Sequence, residues 1–151
     1  MARSLKFSSQ GEMFSSTNLA TLALEYFKIP SSTRVGFTPR DVLDHLATGG
    51  LCLVPYDKDK NNQPCCAGGA KAHWAVIAGI VIPLRERPGF VVDDRFRRLD
   101  LEKDVRVRHL QPAETKEYDL TEEELQGAFV IALHGNSRHQ ALWSLQSLLE
   151  R

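Results

Sequence analysis

The chain has no long hydrophobic run: nothing in it approaches the ~20 apolar residues that a membrane helix needs. Met1 to Gln10 carries Arg3 and Lys6 but no apolar core of signal-peptide length, so a cytoplasmic address without a membrane partner is expected. Net charge is also missing. Lysine and arginine number 19 and so do aspartate and glutamate, which leaves no global field to draw nucleic acid; charge-based recognition must be local. Cysteine is scarce: Cys52, Cys65 and Cys66 are an odd number without the spacing of a disulfide framework. The adjacent Cys65 and Cys66 precede a histidine, but a closed zinc site wants four ligands and no CxxC pair supplies them; neither metal nor cofactor is expected. Cys52, inside Leu51-Cys-Leu-Val, reads as a small core residue. No internal repeat or low-complexity tract is visible.

What is present is an ordinary globular composition. Hydrophobic residues make up 42% and charged residues 25% of 151 positions, which suits a single domain with one core. Ser15-Ser16-Thr17 reads as a helix cap, and Leu19, Leu22, Ala23, Tyr26 and Phe27 recur at helical spacing until Pro30. A second helix starts with Thr38 as N-cap, Pro39 at its first position and Asp41 as capping-box partner; Val42, Leu43 and Leu46 form its stripe, and Gly49-Gly50 ends it. Leu51 to Pro55 is a short buried strand, followed by a polar loop from Asp57 to Lys71 and a long strand reaching Ile82. The segment at about 84–126 reads as a charged insertion with little core of its own, rich in arginine (Arg85, Arg87, Arg95, Arg97, Arg98, Arg106, Arg108). Val91-Val92 and Val105-Arg-Val107 are its edge-strand candidates, and a short helix starts near Thr121. Ala128 to Leu133, a turn at Gly135-Asn-Ser137, and His139 to Trp143 make a hairpin, after which Ser144 to Leu149 resumes helical spacing. Helices first and strands after them predict an α+β domain with an antiparallel sheet and N-terminal helices.

Chemistry is concentrated at His73, in the run Lys71-Ala-His-Trp-Ala-Val-Ile-Ala-Gly-Ile-Val81. An imidazole at the mouth of such an apolar strand needs a hydrogen bond, a metal or a catalytic task. A histidine bonded to a backbone carbonyl is the plain alternative to a catalytic one. Gly68-Gly69-Ala70 lets the backbone turn before it, and the small Ala72 and Ala75 leave room for a substrate or a facing nucleophile.

Read in order, Gly11-Glu-Met-Phe-Ser15, Val54-Pro-Tyr-Asp57, Pro64-Cys65, Lys71-Ala-His-Trp-Ala-Val76, Gly135-Asn-Ser137, His139 and Leu142-Trp143 resemble the actin maturation protease family. That resemblance implies a papain-like cysteine peptidase fold, incomplete here, and an aminopeptidase that removes the acetylated first residue of actin. It gives His73 the place of the catalytic histidine, which takes the thiol proton and returns one to the leaving amine. In the family a Gln and the nucleophilic Cys lie upstream of the Gly-Glu-Met-Phe-Ser motif. Here Met1 to Gln10 precede it and include no cysteine, so the chain is expected to resemble a truncated form, inactive alone. The third member of the site, by the same resemblance, falls on Ser144, where an Asp or Asn is expected; Asn136, in the turn, is a poorer candidate. Lys71, Trp74 and Arg138 are the substrate-binding candidates, Lys71 being placed on the face of His73 by strand period two. The alternative to a peptidase is a noncatalytic binding module for acidic N-terminal peptides.

Overall fold

The computed structural model describes residues 2–8, 13–84, 97–100, 105–107, 114 and 118–150. Gly11, Glu12, Arg85, Arg87, Arg95, Arg108 and the Val91-Val92 strand candidate lie outside them. The chain, expected as one domain, separates into two compact units, Met1–Gly36 and Phe37–Arg151.

In the first unit, helix α1 spans Ser16–Phe27. Its N-cap is Ser15, whose hydroxyl accepts the Asn18 amide at 3.2 Å, and Lys28 closes it in the left-handed region. None of its residues is fully buried, and Tyr26 and Phe27 are exposed. A unit this small cannot enclose a core of its own, so residues 18–23 are only half-buried and the end of the helix is exposed.

The second unit is α+β with an antiparallel sheet, as the order of elements predicts. Helix α2 (Pro39–Ala47) begins with the full capping box: Thr38 accepts the Asp41 amide at 3.2 Å and Asp41 accepts the Thr38 amide at 2.8 Å. Strands β1 (Cys52–Lys58), β2 (Pro64–Cys65), β3 (Ala72–Val81), β6 (Phe129–His134) and β7 (Ala141–Ser144) form one sheet in the order β2-β1-β3-β6-β7. All its pairings are antiparallel. The loop expected over 57–71 therefore contains a short strand, because Pro64 and Cys65 pair with Lys58 and Asp57. Helix α4 (Leu145–Leu149), which follows β7 at one edge, packs beside β2 at the other, so the sheet curls nearly closed.

Inside the curl lie Tyr56, Ala75, Ile77, Val130, Ala132 and Trp143, joined by Val42 of α2 and Leu145 and Leu148 of α4. Strict alternation along β3 would put Ile77 and Val81 on one face. A bulge between Ile77 and Gly79 reverses the phase, so Ile77 is buried while Val81 is exposed. A Cβ at Gly79 would come within 3.1 Å of Ile131 Cδ1, so a larger residue there would need the Ile131 side chain to give way. Strands β4 (Arg97–Asp100) and β5 (Val105–Val107) pair as a separate two-stranded sheet, so the edge-strand candidate at Val105 forms. The end of the expected insertion does carry core: Leu120, and Leu125 of helix α3 (Glu122–Gln126), bury themselves with Leu43 of α2.

Candidate functional site

Small residues set up the site. Ala75 and Ala132 lie on the inner face of adjacent strands and are nearly inaccessible, which leaves space for rings projecting from β1, β6 and β7. Trp143 fills it, stacked on His134 at 5.3 Å between ring centroids and tilted against Tyr56 at 4.7 Å. Tyr56 in turn stands opposite His73 in the β1–β3 register, with ring centroids 6.0 Å apart. Four rings thus form one connected cluster whose outer member, His73, is half-buried. Within it the buried His134 Nδ1 and Trp143 Nε1 have no hydrogen-bond partner.

His73 Nδ1 lies 2.9 Å from the Lys71 carbonyl oxygen. A carbonyl can only accept, so Nδ1 carries a proton and donates it to Lys71. The structure thus shows the plain alternative, a histidine bonded to the main chain through Nδ1.

Of the expected site residues, the structure brings His73 and the Lys71 backbone together, and leaves the others elsewhere. Trp74 follows His73 on a regular stretch of β3 and so sits on the opposite face of the sheet. Arg138 is exposed in the β6–β7 turn, at the same end of the sheet as His73 because Ala75 pairs with His134. Ser144 is displaced from the third-member position. It pairs with Phe129, which pairs with Val81, so it lies at the far end of β3, roughly 25 Å along the strand from His73. Its hydroxyl caps α4, accepting the Ser147 amide at 3.3 Å. The cause is the direction of β7, which runs back from the His73 end of the sheet. Asn136 points its amide at Tyr56, donating to the phenol oxygen across 3.4 Å.

None of the three thiols is placed to attack beside His73. Cys65 pairs with Asp57 and so shares the outer face, about 10 Å across two strand spacings from β3. Cys52 pairs with Ile77, four residues along from the Tyr56–His73 pair, or about 13 Å. Burial pushes its thiol pKa up, which opposes thiolate formation. Cys66 is exposed in the loop beyond β2.

Three residues of the cluster, Tyr56, His134 and Trp143, were not site candidates in the sequence. Tyr56 had a signal, since it continues the inward alternation from Val54; His134 likewise continues Val130 and Ala132. Both were hidden by their position at strand ends, where a polar ring reads as the start of a loop.

The fold and site define an α+β domain with an antiparallel sheet that presents one oriented imidazole at a strand end. Residues 1–81 match the family described as actin maturation protease-like, C-terminal domain, and the chain belongs to that family. It is 33% identical over 157 residues to the actin maturation protease of Mus musculus, covering 99% of this chain and 42% of that protein. With the Homo sapiens protein of the same name it shares 36% identity over 149 residues, covering 95% and 41%. With that of Drosophila melanogaster it shares 29% over 146 residues, covering 95% and 40%. The chain therefore spans about two fifths of the length of these curated relatives. No solved structure matches it. Among the described residues, no helix is long and apolar enough to cross a membrane.

Proposed function

We propose that this chain carries the histidine half of a papain-like cysteine aminopeptidase that removes the acetylated N-terminal residue of actin. His73 is its general base. The observation that carries the reading is the half-buried His73 imidazole at the start of β3, opposite Tyr56, where it can take a thiol proton and later deliver one to the leaving amine. The names of the relatives supply the substrate, and the geometry of Cys52, Cys65 and Cys66 argues that the nucleophile comes from residues outside this sequence. Work of this kind belongs in the cytoplasm.

The end of the sheet around His73 also suits an acidic peptide, since Lys58, Lys60, Lys71 and Arg138 all belong to β1, β3 or the turns at that end. Lys58 is partly committed, donating to Asn62 Oδ1 at 3.2 Å.

The test is complementation. The chain alone is expected to leave an acetylated actin peptide intact; supplied with the family's Gln- and Cys-bearing segment, fused or in trans, it is expected to release the acetylated residue. Trimming by the chain alone that disappears on changing Cys52, Cys65 or Cys66 to Ser would overturn the assignment of the nucleophile. Peptide binding without cleavage in the complemented protein would instead favour a noncatalytic module.

A further inference from the structure

The structure assigns Cys65 and Cys66 as a redox modification site. A small disulfide of the glutathione type converts the adjacent thiols to a vicinal disulfide, and the oxidised pair releases strand β2 from the sheet.

Cys66 is exposed in the loop and Cys65 is half-buried at the end of β2, so the pair has one sulfur that solvent reaches and one held in the sheet. Cys52 is not an alternative partner. It lies five residues back along β1 from the Asp57–Cys65 pair, about 17 Å away, and a disulfide cannot span that.

The backbone keeps the two sulfurs apart. Cys65 pairs with Asp57 and Pro64 with Lys58, so β2 is extended, and neighbouring side chains of a strand point to opposite faces. Beyond the pair, Asp57 Oδ2 accepts the amides of Ala67 at 3.0 Å and Gly69 at 2.9 Å. Asp57 therefore pins the chain on both sides of Cys66, through its strand to Cys65 and through its carboxylate to Ala67. Such bonds from backbone amides to a carboxylate are strong ones. Adjacent Cα atoms lie about 3.8 Å apart, short of the about 4.4–6.8 Å over which disulfides ordinarily close. The ring of a vicinal disulfide closes only when both Cβ atoms turn to one side, which a chain pinned in the extended form does not permit. Oxidation and the pairing of β2 thus oppose each other. The sheet raises the potential of the pair, which stays reduced among excess thiols, oxidises under an oxidising load and is readily reduced again.

The exchange has two steps. The Cys66 thiolate attacks one sulfur of glutathione disulfide, a bond forms between them, the glutathione disulfide bond breaks, and one glutathione leaves as thiolate. The Cys65 thiolate then attacks Cys66 Sγ and the second glutathione leaves. Two cysteines are oxidised, one glutathione disulfide is reduced, and the two thiol protons end on the departing glutathiones. The structural effect falls on the edge of the sheet: α4, which buries Leu145 and Leu148, packs beside β2, and the turn after Cys66 leads into β3. Neither step uses His73, so the assignment stands apart from the peptidase reading.

The experiment equilibrates the 151-residue chain in glutathione redox buffers, blocks remaining thiols, and maps the peptides by mass spectrometry. A peptide holding Cys65 and Cys66 is expected to lack two hydrogens and to regain them with excess reduced glutathione. Cys66→Ser abolishes this form and Cys52→Ser retains it. In the oxidised chain, hydrogen exchange at residues 57–58 and 64–67 rises at least about tenfold, while β6 keeps its protection. Asp57→Ala removes the clasp and favours the disulfide about tenfold, a potential lower by about 30 mV. Gly69→Ala strains the same turn at φ 83°, shifts the potential the same way, and decides the matter if Asp57→Ala fails to fold. Recovery of Cys66 only as a mixed glutathione disulfide or as a cross-link between chains overturns the assignment. So does unchanged exchange at β2 on oxidation, or an unshifted potential in both turn variants.

Discussion

Tyr56 stands directly across β1 and β3 from His73 and also lies against Trp143, so the half-buried imidazole rests beside a ring that the core holds. Tyr56 is only 2% exposed. Tyr56→Ala should cost about 3–5 kcal/mol in urea denaturation, the usual range for emptying an aromatic core site. Tyr56→Phe gives up only the long bond to Asn136 and should cost less than about 1 kcal/mol. Equal losses in the two variants would place the stabilisation in the hydroxyl and remove the ring's supporting role.

His73→Ala is expected to leave the fold intact, because the ring is half-buried and its hydrogen bond is to the backbone of Lys71, just before its strand. In the complemented protein it should lower actin trimming by 10²–10⁴-fold, roughly what a positioned general base contributes. Unchanged melting with unchanged trimming would remove His73 from the mechanism.

His134 is buried, and its Nδ1 finds no partner. A buried polar atom without a hydrogen bond costs roughly 1–3 kcal/mol, so His134→Leu, which fills the same space without that atom, should hold or raise the urea midpoint. A fall of more than about 1 kcal/mol would mean that the atom is satisfied in solution, as by an internal water.

Cys52 gives a pH dependence of known sign. Its pKa is raised in the folded chain by burial, so the folded state holds the proton more tightly than the unfolded one. The contribution to stability is complete below the unfolded thiol's pKa of about 8.5 and is lost as the pH rises through the folded value. Cys52→Ala should flatten that alkaline decline. At neutral pH, alkylation should label the exposed Cys66 well before Cys52; the reverse order would contradict the burial of Cys52.

The outer face of the sheet is apolar. Leu53 pairs with Val76 and Val76 with Leu133, while Leu142 pairs with Ile131; Leu53, Leu133 and Leu142 are 46%, 43% and 54% exposed. Leu133→Lys combined with Leu142→Lys should therefore reduce binding of a hydrophobic dye without lowering the melting temperature. A large drop in melting temperature would show that these side chains are covered in solution.

Most of the elements were legible because each has a local cause. Thr38, Pro39 and Asp41 carry a capping box that closes within its own first turn. Gly135 to Ser137 turns a hairpin between two apolar runs, and Ser15 caps α1 with its own hydroxyl. The two-residue β2 was missed because it exists only through its pairing with Asp57 and Lys58. Ser144 was misplaced because its distance from His73 depends on which way β7 runs beside β6, which no short motif encodes.

The sequence by itself determined the α+β order, the caps, the strand that bears His73 and the family, since these follow from residue type and spacing along the chain. Only the tertiary structure decided how the site is assembled. A bulge at Gly79 reverses which residues of β3 face inward, and the curl of the sheet brings Trp143 of β7 against Tyr56 of β1. The hydrogen-bond acceptor of His73 proves to be the main chain at Lys71. Backbone carbonyls are the same in every residue, so a sequence cannot mark the one that matters; only register and turn geometry single it out.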